Sequence, residues 1–291
     1  MSNPPVFRFA PSPNGELHLG HAYSALVTDD LAKQERGRFL LRIEDVDGGR
    51  ARDEFIEQIY DDLTWLGLTW ESPVWKQSQH MENYAKALEK LRQLGLLYPC
   101  FASRREIAEH ELTQTMPNTP DGPPIYPGIY RDYSPAKAAA RIAAGEPHTL
   151  RLDMKRAVAL ALQKVDVISF RERQKDGSYQ VIDVSPLDWG DMILARREMP
   201  TSYNLAVVVD DALQGVSHVT RGEDLYYATS MQRLLQILLD LPEPLYFHHP
   251  LLVDMTGRKL SKSNDETSLK TIRATGISAA ELCLQLPPMI L

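Results

Sequence analysis

Residues 8–21 read RFAPSPNGELHLGH. A short apolar run at 6–10 feeds a turn at 11–15 that carries Pro11, Pro13 and Gly15. A helical pattern starts near His18–Gly20 and runs to Gly37, a natural helix stop. Residues 39–43, FLLRI, then read as a buried strand ending at Glu44 and Asp45. Phe55, Ile59, Leu63 and Leu66 recur at helical spacing and predict a helix over 52–66. Tyr84, Leu88, Leu91 and Leu94 mark another, stopped by Gly95. Strand, helix, strand, helix in this order predicts an α/β fold on a parallel sheet.

The pattern then breaks. Residues 119–130, TPDGPPIYPGIY, hold four prolines and two glycines and predict turn and loop. A helix is expected at 135–144, and strands at 150–154, 165–171 and 179–184, giving an inserted α+β module. Sheet character resumes at 204–209, NLAVVV, expected as a strand buried on both faces. A turn at 210–215, a strand at 216–221 and a helix at 226–239 follow. The tail from His248 carries KLSKS at 259–263 and a short helix.

Bulk properties exclude several classes. No apolar run approaches the roughly 18 residues of a membrane span. The start MSNPPVFRF lacks the pattern of a signal peptide. Cys100 and Cys283 are the chain's two cysteines, too few for a disulfide scaffold or a cysteine-rich zinc site. A cytoplasmic protein, monomeric and without a membrane partner, is expected. The net charge of −7 argues against a general nucleic-acid binder. It leaves room for a local basic face at Arg104 and Arg105, Arg171 and Arg173, or Arg196 and Arg197.

Two segments carry chemistry. His18 and His21 lie one helical turn apart at a helix N-terminus, where backbone N–H groups and the dipole suit phosphate. Gly20 lets a purine or ribose approach the backbone. Bare HxGH also fits a plain loop-to-helix junction with two surface histidines. Lys259 and Lys262 sit three apart beside Gly257 and suit the negative charge of a transferring phosphate. The two segments together suggest a site that grips ATP for adenylyl transfer.

In these motifs the chain resembles the class I aminoacyl-tRNA synthetases. RFAPSPNGELHLGH is similar to the glutamyl/glutaminyl form of the HIGH motif, and KLSKS to KMSKS. RIED at 42–45, YNLA at 203–206 and HVTRGEDL at 218–225 match the glutamyl group. The early end of the chain after KLSKS is similar to the truncated glutamyl-queuosine tRNA(Asp) synthetases, as is the LAVVVDD wording at 205–211. The resemblance implies a Rossmann-like parallel sheet with its catalytic halves at 1–97 and 188–245. It further implies an inserted acceptor-type module at 98–187 and a KLSKS loop with C-terminal segment at 246–291, with no anticodon-binding domain.

The resemblance also implies roles. Arg8 and Arg221 grip the two carboxylates of L-glutamate, in an order the sequence leaves open. Glu44, at a strand's carboxyl end, holds the ammonium, with Ala10, Ser12 and Tyr203 completing the glutamate site. Pro11, Gly20, His18, His21 and Lys262 bind ATP, brought with Mg²⁺. His18, His21, Lys259 and Lys262 assist adenylate formation. The implied partner is tRNA(Asp) carrying queuosine, charged on a hydroxyl of that base by a ligase forming an aminoacyl ester. Alternatives are a truncated glutamyl-tRNA synthetase charging a tRNA 3′ end, a non-catalytic RNA-binding paralogue, or a small-molecule nucleotidyltransferase. The family's zinc positions fall here on Cys100, Ala102, Tyr126 and Tyr130, short of the four ligands of a closed site. No structural zinc is expected.

Overall fold

A computed structural model describes residues 3–113, 116–196, 199–252 and 268–287. The opening stretch forms β1 (Val6–Phe9), a turn, and α1 (Leu19–Gln34), followed by β2 (Arg38–Ile43) parallel to β1. Next come α2 (Asp53–Trp65), a short β3 (Trp75–Lys76) and α3 (Met81–Gln93). The central stretch contains β4 (Leu97–Cys100), α4 (Arg104–Thr113), α5 (Pro135–Ala143), β5 (Thr149–Leu152) and α6 (Met154–Ala161). It continues through β6 (Ser169–Arg173), β7 (Tyr179–Asp183) and β8 (Ile193–Arg196). Then follow α7 (Tyr203–Leu213), β9 (His218–Gly222), α8 (Ala228–Leu239), β10 (Leu245–His249), α9 (Leu269–Ala274) and α10 (Ala279–Gln285).

The main sheet runs β3-β2-β1-β9-β10-β6-β7 and is parallel except for β7, which pairs antiparallel with β6. The expected parallel α/β architecture is therefore present. A smaller antiparallel sheet runs β4-β5-β8. Residues 98–187 divide between the two sheets. After β5 the chain leaves the small sheet, adds β6 and β7 to the main one, and returns as β8.

Three expected strands differ in the structure. Residues 204–209 lie in helix α7, not in a strand. The run Leu205–Asp211 is buried throughout, so it shows neither the alternation of a strand nor the stripe of a surface helix. Its β-branched valines favour a strand locally. Ser202 instead caps the first turn by accepting from the Leu205 N–H, and packing on α3 and α8 favours the helix. The strand expected at 150–154 stops at Leu152, because Asp153 caps α6 by accepting from the Arg156 N–H. The strand expected at 165–171 begins later, at Ser169.

The sheet has two different faces, as period-two alternation requires. Phe7, Phe9, Phe39, Leu41, Ile43 and Phe247 pack into one cluster with α1 and α2. Val6, Leu40, Phe170, Val219 and Tyr246 share a cluster on the other face. Two positions further along each of those five strands the residue is polar: Arg8, Arg42, Glu172, Arg221 and His248. All the strands concerned are parallel, so these side chains form one row near their carboxyl ends. Helices α7 and α8 lie over the row.

Candidate active site

The row is charged, buried and hydrogen-bonded. Arg42, fully buried, donates Nη1 to Asp211 at 2.7 Å and Nη2 to Glu44 at 3.2 Å. Arg8 donates Nε and Nη2 to the two oxygens of the same Asp211 at 3.0 and 3.4 Å. Asp210, the preceding residue on α7, accepts from Trp75 Nε1, Gln77 Nε2 and the Tyr84 hydroxyl at 2.7–3.1 Å. Burial alone would push Arg42 down. Asp211, Glu44 and Asp210 outweigh it and raise Arg42, so its charge is secure. For Asp211 burial opposes ionisation, but Arg8 and Arg42 overcome it and hold the carboxyl below its ordinary range. Glu44 goes the other way, raised chiefly by burial.

Arg221 stands in a different environment. Its Nη1 donates to Gln232 Oε1 at 2.7 Å, its Nη2 to Thr229 Oγ1 at 2.7 Å, and its Nε to His248 Nε2 at 3.1 Å. Among the described residues no carboxylate pairs with it, although it is 5% exposed. A buried guanidinium without a counter-ion is costly unless something supplies one.

The HLGH segment has its own geometry. His18 is the N-cap of α1, and its Nδ1 accepts from the Gly20 N–H at 3.1 Å. The Nδ1 of His21 accepts from the His18 N–H at 3.1 Å, closing a reciprocal cap. With both Nδ1 atoms accepting, the neutral rings carry their protons on Nε2 and are donors there. The rings lie 3.9 Å apart, centroid to centroid. Gly20 serves this arrangement: a Cβ there would come within 2.9 Å of His18 Cε1.

One cavity of about 590 Å³ collects these groups. Arg8, Ala10, Pro11, Ser12, His18, Gly20, His21, Glu44, Tyr203 and Arg221, all expected from sequence, line it together. Tyr203 is half-buried there, and burial pushes its phenol up. Lys259 and Lys262 lie outside the described residues. The described flanks of their stretch both border the site: Leu252 lines the cavity, and Ser268 bridges to His18.

Sequence reasoning missed Asp210, Asp211, Gln232 and His248, which support the expected residues, and several that line the cavity itself, Thr220 and His249 among them. Thr220 Oγ1 and His249 Nε2 are buried there without a hydrogen-bond partner among the described residues. The double aspartate after a valine run was the available signal, because adjacent buried carboxylates require cations nearby.

The four zinc positions do not fit zinc. Cys100 Sγ lies 3.2 Å from the Tyr126 hydroxyl, which accepts from the Tyr130 N–H at 3.1 Å. Ala102 and Tyr130 pack beside them. The Arg151 guanidinium sits 3.7 Å over the Tyr126 ring, and Tyr98 donates to Asp191 at 2.5 Å. Among the described residues no group of three or more His, Cys, Asp or Glu is placed to hold a metal. No described helix is long and apolar enough to cross a membrane.

The chain belongs to the class I tRNA synthetases specific for glutamate and glutamine (E and Q), whose catalytic-domain description matches residues 6–284. Within that class it is 44% identical over 284 residues to a glutamyl-Q tRNA(Asp) synthetase from Rhodobacter capsulatus, covering 95% of this chain and 98% of that one. A second glutamyl-Q tRNA(Asp) synthetase, from Nocardia farcinica, is 40% identical over 287 residues, 97% of this chain and 85% of its own. Among solved structures, the glutamate-tRNA synthetase of Elizabethkingia anophelis superposes with a TM-score of 0.71 at 23% identity. It shares the fold over 90% of this chain, which spans 53% of that longer one.

Proposed function

We propose that this chain activates L-glutamate with ATP, without tRNA, and passes the glutamyl group to the queuosine base in the anticodon loop of tRNA(Asp). The observation that carries the reading is one cavity holding a buried carboxylate, an arginine with only neutral partners, and paired imidazole donors. Glutamate needs all of the first two: Glu44 for its ammonium, Arg221 and Arg8 for its carboxylates. Arg221 is the stronger anion site, because Asp211 already compensates Arg8. The likeness to glutamyl-Q tRNA(Asp) synthetases over nearly their full length supports the choice of RNA.

The α-carboxylate of glutamate is ionised at neutral pH and needs no base. One of its oxygens attacks the α-phosphorus of MgATP in line. The bond from that phosphorus to the bridging oxygen breaks, and pyrophosphate leaves with its Mg²⁺. His18 and His21, as Nε2–H donors, meet the charge that builds on the phosphate oxygens. Lys259 and Lys262, which lie outside the described residues, are assigned from the KLSKS motif alone to meet the same phosphate charge. A hydroxyl of the queuosine cyclopentene ring then attacks the acyl carbon, loses its proton, and displaces AMP. The central module keeps its fold without zinc, through the Tyr98, Tyr126 and Arg151 contacts.

The test is glutamate-dependent ATP–pyrophosphate exchange without RNA, followed by charging of tRNA(Asp) with and without queuosine. Exchange without RNA, and charging that requires queuosine, are expected. Equal charging of queuosine-free tRNA(Asp), or charging of tRNA(Glu), would overturn the choice of acceptor.

A further inference from the structure

Behind Arg221, β10 and β6 supply two residues with no direct place in the cavity. Arg221 and His248 are Cα partners in the β9–β10 pairing. Arg221 Nε donates to His248 Nε2, and a guanidinium can only donate. Nε2 therefore carries a lone pair, and the ring proton resides on Nδ1, 2.9 Å from Glu172 Oε2. The other oxygen of Glu172 accepts the His248 backbone N–H at 2.8 Å. One carboxylate thus fixes both the position and the tautomer of the ring. The His248 side chain is 2% exposed and that of Glu172 10%. Burial pushes the imidazole down to about 4, so it is neutral near pH 7. The ring is packed between Phe170, Tyr226 and Tyr246.

A contrast within the row gives this arrangement its meaning. Arg8 meets a carboxylate directly and is compensated. Arg221 meets a carboxylate only through an intervening neutral ring. The ring orients the guanidinium by a hydrogen bond yet leaves most of its charge unquenched. Three donors of Arg221 are used by His248, Thr229 and Gln232. One donor on each terminal nitrogen remains for a carboxylate.

We propose that Glu172 and His248 are positioning residues for the glutamate site, holding Arg221 through a neutral acceptor so that its charge is reserved for a substrate carboxylate. The proposal rests on the reading that Arg221 binds that carboxylate. It makes the Nδ1–H tautomer of His248 a determinant of selection for glutamate over glutamine.

The experiment uses the full chain in glutamate-dependent ATP–pyrophosphate exchange. His248→Phe keeps an aromatic ring in the packed site but removes the acceptor. It is expected to raise KM for glutamate about tenfold to a hundredfold, the scale of one hydrogen bond to a charged group. KM for ATP should move little, and discrimination against glutamine should fall. His248→Gln, whose amide oxygen reaches the place of Nε2, should recover most of the loss. Glu172→Gln should reproduce the His248→Phe pattern, because its amide permits the wrong tautomer. A folded His248→Phe protein with unchanged KM for glutamate, or with both KM values raised together, would overturn the proposal. If the variants do not fold, ¹⁵N-histidine spectra of the unmodified protein decide: an Nε2–H tautomer at His248 overturns it. Absence of glutamate-dependent exchange in the unmodified chain overturns instead the glutamate reading beneath it.

Discussion

The guanidinium of Arg42 meets the carboxylate of Asp211 at 2.7 Å across 169 positions of sequence. The pair joins the second strand of the sheet to the helix that covers it. Arg8 shares the same carboxylate, so one aspartate answers two buried cations.

Removing that aspartate strands both. Asp211→Asn is expected to cost about 3 kcal/mol, the lower end for breaking a buried pair, because Glu44 still touches Arg42. Urea denaturation at pH 7 measures it. Unchanged stability would show that the network contributes nothing net.

Glu44 makes an opposite prediction with pH. Its folded pKa is raised by burial, so the native state holds its proton more tightly than the unfolded chain does. The group therefore lowers stability as pH rises from about 4.3, the ordinary glutamate value, through the raised one. Glu44→Gln has no proton to lose there. Its stability relative to the unmodified protein should climb between pH 4 and its plateau, while glutamate-dependent exchange is lost. Parallel stability–pH curves for the two proteins would refute the shift.

Gly20 is fixed by an imidazole. Because a Cβ there meets His18 Cε1 at 2.9 Å, Gly20→Ala should displace the His18 ring. A displacement near 1 Å at a reacting centre lowers exchange on the order of a hundredfold. The thermal midpoint should change little, since alanine favours a helix. Full activity in Gly20→Ala would mean that His18 has no exacting position.

The central module should ignore chelators. Incubation with EDTA is expected to leave the thermal midpoint unchanged, and metal analysis to find no stoichiometric zinc. Cys100→Ser should cost about 1 kcal/mol, as a packed thiol beside a phenol rather than a metal ligand. Unfolding by chelation would sink this account.

The ten expected residues that line the cavity were legible because their chemistry is local. HLGH announces itself by a turn, a glycine and two histidines within a few positions. Glu44 and Arg221 stand at strand ends, where ligands meet an open sheet. Arg42 and Asp211 were not legible, since neither has a partner nearby in sequence except Glu44. Helix α7 was misread for a related reason. A segment buried on every side loses the periodicity that separates helix from strand, and only the cap at Ser202 distinguishes it. Strands were expected near both β6 and β7, the first four residues too early, but nothing in their residues announced which sheet would take them. In the main sheet β6 brings Glu172 to His248 of β10.

The path of the chain between its two sheets constrains anyone who would rebuild this protein. The small sheet draws β4 and β5 from one passage and β8 from a later one, with α6, β6 and β7 between them. It is therefore stitched in twice and cannot be exchanged as one contiguous cassette. A graft that replaced residues 98–187 wholesale would take two strands from the main sheet and, with Glu172, the far support of Arg221. A chimaera that respects the weave needs at least two separate splices, and an otherwise sound transplant made with one would arrive with its buried Arg221 unmoored.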